Sequence, residues 1–408
     1  MLRGKTLSLL RSTNQNQQGE NVPQGLGRSY LPELDSLRFF AFVLVFGFHN
    51  GFGDLGGWIR DLCAMTVDLP FLLIQGSGGI GVRLGNFVNH AITANGWIGV
   101  NLFFTLSGFI ITRLLLEEQQ RYGSTKWSAF WMRRILRIWP LYFVIMAIGF
   151  LGFPAIPVLQ QKAVGISSVH LPWFTVFLGN WSMIHYGPIG SDILSVLWSV
   201  CVEEQFYLFI PIVIGLTGKS GRIAFCCAGI LMAIWRRWFL ASLAVPQYQL
   251  TYDSLAQMDS ILAGVLLAIL VHSDFIRTWL YRKIRAWHVA TLLISTLFLI
   301  SRNHLGHEVF IRRVLDPVVI ALISAGWVLA ASIAKGPLLR SLSWWPLVYL
   351  GKISYGLYLW HEVILTVRGG GFLSFFLVIL ISIVSYHLFE QPILKWKRRW
   401  SRIESRPV

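Results

Sequence analysis

Leu34-Asp35-Ser36-Leu37-Arg38-Phe39-Phe40-Ala41-Phe42-Val43-Leu44-Val45-Phe46-Gly47-Phe48-His49 is an apolar run with a cation near its start and an imidazole at its end. A run this apolar reads as a membrane helix. Arg38 and His49 stand eleven residues apart. At ~1.5 Å per residue that separates them by roughly 16 Å, about half the hydrocarbon core. A cation at mid-membrane costs ~2.5–3.5 kcal/mol, so a helix that keeps one marks a functional site.

The rest of the chain extends this pattern. Its 408 residues are 55% hydrophobic and 13% charged, with a mean hydropathy of +0.59. A soluble domain carries about 25% charged residues. The expected fold is therefore an all-α polytopic membrane helix bundle. Ten spans fit the hydropathy, at 34–52, 94–116, 136–156, 193–216, 222–243, 254–272, 286–302, 315–334, 347–366 and 371–391. The expected organisation is a disordered polar tail over 1–30, a membrane-embedded domain over 31–396 and a basic tail over 397–408. No cleavable leader and no hydrolase-like domain after the last span are expected. Of the four cysteines, Cys201, Cys226 and Cys227 fall in apolar spans and Cys63 in a loop, which is no disulfide framework.

The formal net charge is +16, but nucleic acid is not its expected partner. With the N-terminus inside, the inner loops and tails hold 24 basic residues and the outer loops 9, so both termini are expected to be cytoplasmic. Two outer segments are long. Residues 53–92 contain the glycine-rich run Leu69 to Ile80, and 157–192 contain Trp173, Trp181, His185 and Tyr186. Both suit an acceptor-facing surface.

Orientation converts sequence position into depth. His49, His361 and the region of Glu203 fall in one layer at or outside the midplane, with Asp259 shallower on the outside. An imidazole and a carboxylate at one depth are what general-base catalysis needs, and Glu203 is the candidate orienter of His49. Arg38, Lys352 and the run Arg133-Arg134-Ile135-Leu136-Arg137 fall near the cytoplasm, where a phosphate-bearing donor would bind. Glu390 lies near that layer as a counter-charge for Arg38 or Lys352.

These residues also carry a family pattern. Arg38 to His49, Gly99 to Phe109 and Arg134-Ile135-Leu136-Arg137-Ile138-Trp139-Pro140 are its first three pieces. Leu197-Trp198-Ser199 through Glu203-Glu204-Gln205-Phe206-Tyr207, Gly351 to His361, and Ser385 to Pro392 complete it in order. In them the chain resembles the acyltransferase-3 family of integral membrane acyltransferases, many of which O-acetylate bacterial cell-surface glycans. The resemblance implies acetyl-coenzyme A as the cytoplasmic donor, a carbohydrate or glycolipid hydroxyl as the outer acceptor, and residence in the bacterial inner (plasma) membrane. It implies no metal. It makes Arg38 and His49 the essential pair and assigns Arg134 and Arg137 to the donor; Lys352 is grouped with them. Trp198, Tyr207, Asp259 and His361 are the expected acceptor-side residues. One departure concerns Asp259. The family often places an Arg just before this Asp, whereas here the segment reads Gln257-Met258-Asp259, so its charge partner is expected to be missing.

Within this reading the transferred group is acetyl or another short acyl such as succinyl, and His49 acts as general base or carries the acyl group itself. Ser107, Ser199 and Tyr207 are candidate oxyanion donors. The rival from another class is a transporter or flippase, with buried charges lining a substrate path; a scaffold without catalysis is the third.

Overall fold

The computed structural model describes residues 30–49, 96–157, 159–160, 166–284, 286–302, 310–333 and 340–400. The glycine-rich loop 53–92 and the N-terminal tail to residue 29 lie outside the described residues. Among the described residues there is no strand. Among the described residues twelve helices carry the architecture: α1 (Pro32–Phe48), α2 (Ile98–Tyr122), α3 (Trp127–Ala155), α4 (Asp192–Leu216), α5 (Lys219–Ser242), α6 (Met258–Val271), α7 (Asp274–Lys283), α8 (Ala286–Arg302), α9 (Phe310–Ile333), α10 (Trp345–Lys352), α11 (Ser354–Arg368) and α12 (Phe372–Trp396). Short helices at Leu171–Thr175, Gly179–Tyr186 and Gln247–Tyr252 fill two of the connections.

Six of these helices are long and apolar enough to cross a membrane: α2, α3, α4, α5, α12 and the Arg312–Ile333 part of α9. A seventh span arises if α6 and α7, bent by 100° at their junction, are counted as one. Within the described residues each of the ten segments expected from hydropathy contains helix, yet four are short or broken. α1 has 17 residues, ~25 Å at ~1.5 Å per residue against a core of ~30 Å. The expected ninth span is not continuous. It breaks at Ile353 into α10 and α11, because Ile353 leaves helical geometry at φ −91°, ψ 8°. The chain is thus a multi-pass membrane protein, with buried polar residues on its long helices as well as its short ones.

Local sequence explains the elements. Pro32 sits at the start of α1, where its missing N–H costs nothing, and Glu33 and Asp35 face the positive end of the helix dipole. α2 ends at Gly123, whose φ of +69° is the left-handed cap conformation that glycine adopts without strain.

α2 is the centre of the bundle, packed against α1, α4, α6 and α9. Its tightest contact is with α6. A Cβ at Gly108 would sit 2.1 Å from the Ile261 carbonyl, and one at Gly264 2.1 Å from the Thr105 carbonyl. Lipid tails are as apolar as leucine, so close backbone approach and interhelical hydrogen bonds hold such a pair. Thr105 Oγ1 donates to the Ser260 carbonyl at 3.0 Å, and Ser260 Oγ donates to Asn101 Oδ1 at 2.7 Å. α1 lies against α2 on one side and α10 and α11 on the other, so its two ends meet different polar neighbours.

Candidate active site

His49 caps the C-terminal end of α1, and its side chain is 30% exposed. His361, on α11, is fully buried against Phe42 and Phe46. The two rings meet, with His361 Nε2 3.2 Å from His49 Nδ1. Glu362 completes the cluster. Its Oε1 lies 3.1 Å from His49 Nδ1 and 3.2 Å from His361 Nε2, on a side chain only 4% exposed.

Carbonyl groups fix the tautomers, since they only accept. His361 Nδ1 lies 2.5 Å from the Tyr358 carbonyl, so that nitrogen carries a hydrogen, while Nε2 faces both His49 Nδ1 and Glu362 Oε1. His49 Nδ1 lies 3.1 Å from the Val45 carbonyl and carries a hydrogen too. Nε2 of His49 is left as the proton acceptor. His49 Nδ1, His361 Nε2 and Glu362 Oε1 lie within 4.8 Å of one another, near enough to share a cation. The hydrogen directed at Val45 makes His49 Nδ1 a donor, and the buried Glu362 Oε1 beside it has no hydrogen-bond partner among the described residues, so the cluster reads as an imidazole pair with a carboxylate as its electrostatic neighbour.

His49 opens onto a cavity of about 580 Å³. Its walls carry aromatic groups from Trp97, Trp198, Tyr248 and Tyr252 and polar groups from Asn101, Gln247 and Gln257, with Arg312, Arg313 and Asp316 at one side. Such a surface suits a sugar ring, which stacks on aromatic faces and hydrogen-bonds through its hydroxyls.

Toward the other end of α1 lies a second, narrow chamber of about 80 Å³, lined by Arg38, Arg137, Glu203, Tyr207, Ser107 and Ser199 among others. Tyr207 donates to Glu203 Oε2 at 2.8 Å and also bonds Ser107. Arg38, Arg134 and Arg137 all act electrostatically on Glu203. The Arg134 guanidinium carbon lies 5.8 Å from the Tyr207 ring centre and 5.7 Å from that of Phe130. Its Nε is buried without a hydrogen-bond partner. Glu204 accepts from Trp139 Nε1 at 2.9 Å, and its other oxygen is likewise unpartnered. A buried orphan donor on Arg134, with the guanidinium groups of Arg38 and Arg137 near it, is fitted to an anionic or amide-bearing ligand.

The sequence expectations divide accordingly. His49 and His361 meet, and Arg38, Arg134 and Arg137 gather together, as depth reckoning required. Glu203 does not orient His49. It belongs to the arginine chamber, and Glu362 takes the place expected of it. Tyr207 lies with Glu203 rather than with His49, while Trp198 does line the cavity onto which His49 opens. Lys352 is not among the chamber-lining groups; its Nζ stands 5.8 Å over the Tyr30 ring. Glu390 accepts from Ser385 at 3.3 Å, and the cation acting on it is Arg137, not Arg38 or Lys352. Arg38 lies 3.7 Å from Asp35, one turn back on α1. Asp259 is not short of a charge partner. Arg237 Nη2 donates to it at 2.7 Å, with both side chains at most 2% exposed. Of the candidate oxyanion donors, Ser107 and Tyr207 are bonded to each other, and Ser199 bonds Tyr358 at 2.6 Å.

Glu362 and Arg237 are the residues sequence reasoning missed. The signal for Glu362 was its adjacency to His361. The signal for Arg237 was a cation within an otherwise apolar span.

Comparison with known proteins follows the same residues. A family model, Acyl_transf_3, described as an acyltransferase domain, matches residues 31–389. Peptidoglycan O-acetyltransferase OatA of Listeria monocytogenes is 24% identical over 354 residues, covering 83% of this chain and 50% of that protein. A Bacillus subtilis protein named "Putative peptidoglycan O-acetyltransferase YrhL" is 26% identical over 395 residues, covering 89% and 55%. A Staphylococcus aureus protein named "Putative O-acetyltransferase" is 25% identical over 341 residues, covering 76% and 54%. The chain spans about half the length of the curated relatives it matches. No solved structure matches it.

Proposed function

The chain belongs to the acyltransferase-3 family, and from that premise we propose that it moves an acetyl group from cytoplasmic acetyl-coenzyme A to a hydroxyl of a cell-wall carbohydrate on the outer side of the plasma membrane. The observation that carries this reading is the division of α1 between two chambers, a basic one at Arg38 and an imidazole–carboxylate one at His49. The names of the Listeria and Bacillus relatives support peptidoglycan as the acceptor. The bias of basic residues supports ten crossings with both termini inside.

Coenzyme A is too large and too anionic to cross. In this reading Arg134 and Arg137, with Arg38 above them, hold its polar portion, and the thioester arm extends along the narrow chamber toward His49. His49 Nε2 takes the proton of the acceptor hydroxyl as its oxygen attacks the thioester carbon. A C–O bond forms, the C–S bond breaks, and the proton ends on the leaving thiolate. Glu362 stabilises the imidazolium between these events. A flippase would need no imidazole backed by a carboxylate at the mouth of its cavity.

The test is alkali-released acetate from purified peptidoglycan of cells carrying the native protein, His49→Ala, or none. Acetate with the native protein alone is expected. Equal acetate in all three overturns the reading for this polymer.

A further inference from the structure

The two chambers are separated by very little. Val100 of α2 and Tyr358 of α11 line both, and they are the residues the two linings share. Tyr358 is buried, and its position is held from three sides. Its hydroxyl bonds Ser199 Oγ at 2.6 Å and donates to the Val196 carbonyl at 3.2 Å. Phe103 meets its ring edge-on at 5.8 Å, and the ring stands 5.6 Å from that of His361. Val100, the other residue that lines both chambers, is β-branched and confined on a helix to one main rotamer. Neither wall yields to a larger group as a methionine or an untethered aromatic would.

We infer that Val100 and Tyr358 form a rigid aperture that selects the acyl group by size, admitting acetyl to the His49 chamber and excluding longer chains. This rests on the acyl-transfer reading above. Any acyl group carried from the arginine chamber to His49 passes this point, since His361, one turn beyond Tyr358 on α11, already touches His49. The aperture lies past the residues that would hold the coenzyme, so it discriminates on the acyl chain and not on the carrier. One methylene too many in a fitted apolar passage is worth about 10- to 200-fold in rate.

The experiment uses the purified full chain in lipid nanodiscs with acetyl-, butyryl- and hexanoyl-coenzyme A as donors and a chitotetraose probe as acceptor. Ester product is measured by mass spectrometry. The native protein is expected to favour acetyl. Val100→Ala is expected to raise the butyryl-to-acetyl product ratio about tenfold. Val100→Leu is expected to lower it below the native value. Tyr358→Phe keeps the ring but removes its tether, and is expected to raise the ratio as well. A variant that merely disturbs folding lowers all three products together and leaves the ratio in place. Unchanged ratios in Val100→Ala and Tyr358→Phe, with acetyl transfer still measurable, overturn the aperture while leaving the transfer reading intact. If native protein acylates neither chitotetraose nor peptidoglycan fragments with any donor, both fall.

Discussion

Glu362 Oε1 lies 3.1 Å from His49 Nδ1, joining the last residue of the first helix region to a carboxylate more than three hundred positions later. That relationship assigns a division of labour between two acidic residues. Glu362 serves the imidazole, and Glu203 serves the arginine chamber.

Glu362→Gln should therefore reduce the turnover rate by about a hundredfold while leaving the KM for acetyl-coenzyme A near its native value. Glu203→Gln should show the opposite pattern, with KM raised more than the turnover rate falls. Steady-state kinetics with varied donor separate the two. Identical effects from both substitutions would contradict the division.

Arg134→Lys keeps the charge but removes the planar fork and its buried Nε. A hydrogen bond to a charged group contributes about 1.5–3 kcal/mol, so donor affinity should fall about tenfold or more. Titration calorimetry with a non-hydrolysable thioether analogue of acetyl-coenzyme A measures this directly.

Arg237→Ala strands Asp259 in a site where both side chains are at most 2% exposed. Breaking one side of such a pair costs about 3–5 kcal/mol, whereas replacing both partners by apolar groups of similar volume is close to neutral. The melting temperature in detergent should fall sharply for Arg237→Ala and recover in the Arg237→Met, Asp259→Leu double variant.

Gly351→Ala should detach α10 from α1. Its Cβ would lie 1.8 Å from the Asp35 carbonyl oxygen, and backbone on both sides leaves nothing flexible to move. A lower melting temperature is expected, together with loss of activity out of proportion to the single methyl added.

Reporter fusions after Val408 test the topology. An enzyme active only in the cytoplasm should function there, and one active only outside should not.

The membrane class and the pairing of His49 with His361 were legible because both follow from counting along helices. Hydropathy gives the helices, loop charge gives direction, and ~1.5 Å per residue gives depth. What counting cannot give is rotation about the helix axis. Each residue turns the side chain by about 100°, so Glu203 sits at a plausible height yet faces the arginines. Glu362, one position beyond His361, reaches the cluster because its side chain is long. The Asp259 partner was sought on its own helix and came from α5, 22 positions earlier. The break at Ile353 had no proline or glycine at the position itself to announce it.

The wall at Val100 and Tyr358 also divides the protons of the reaction. In the transfer proposed above, the hydroxyl proton would arise in the His49 cavity and the thiolate that needs one would form on the arginine side of the wall. If that proton escaped outward and the thiolate drew another from the cytoplasm, each turnover would carry one net positive charge out, against ~2.3 kcal/mol for every 100 mV of membrane potential. Returning the same proton inward makes the exchange electroneutral. The Tyr358 and Ser199 hydroxyls, 2.6 Å apart, stand in the wall where such a relay has to run. In the proposed transfer, the wall between the two chambers would thereby also be a wire for one proton per acyl group.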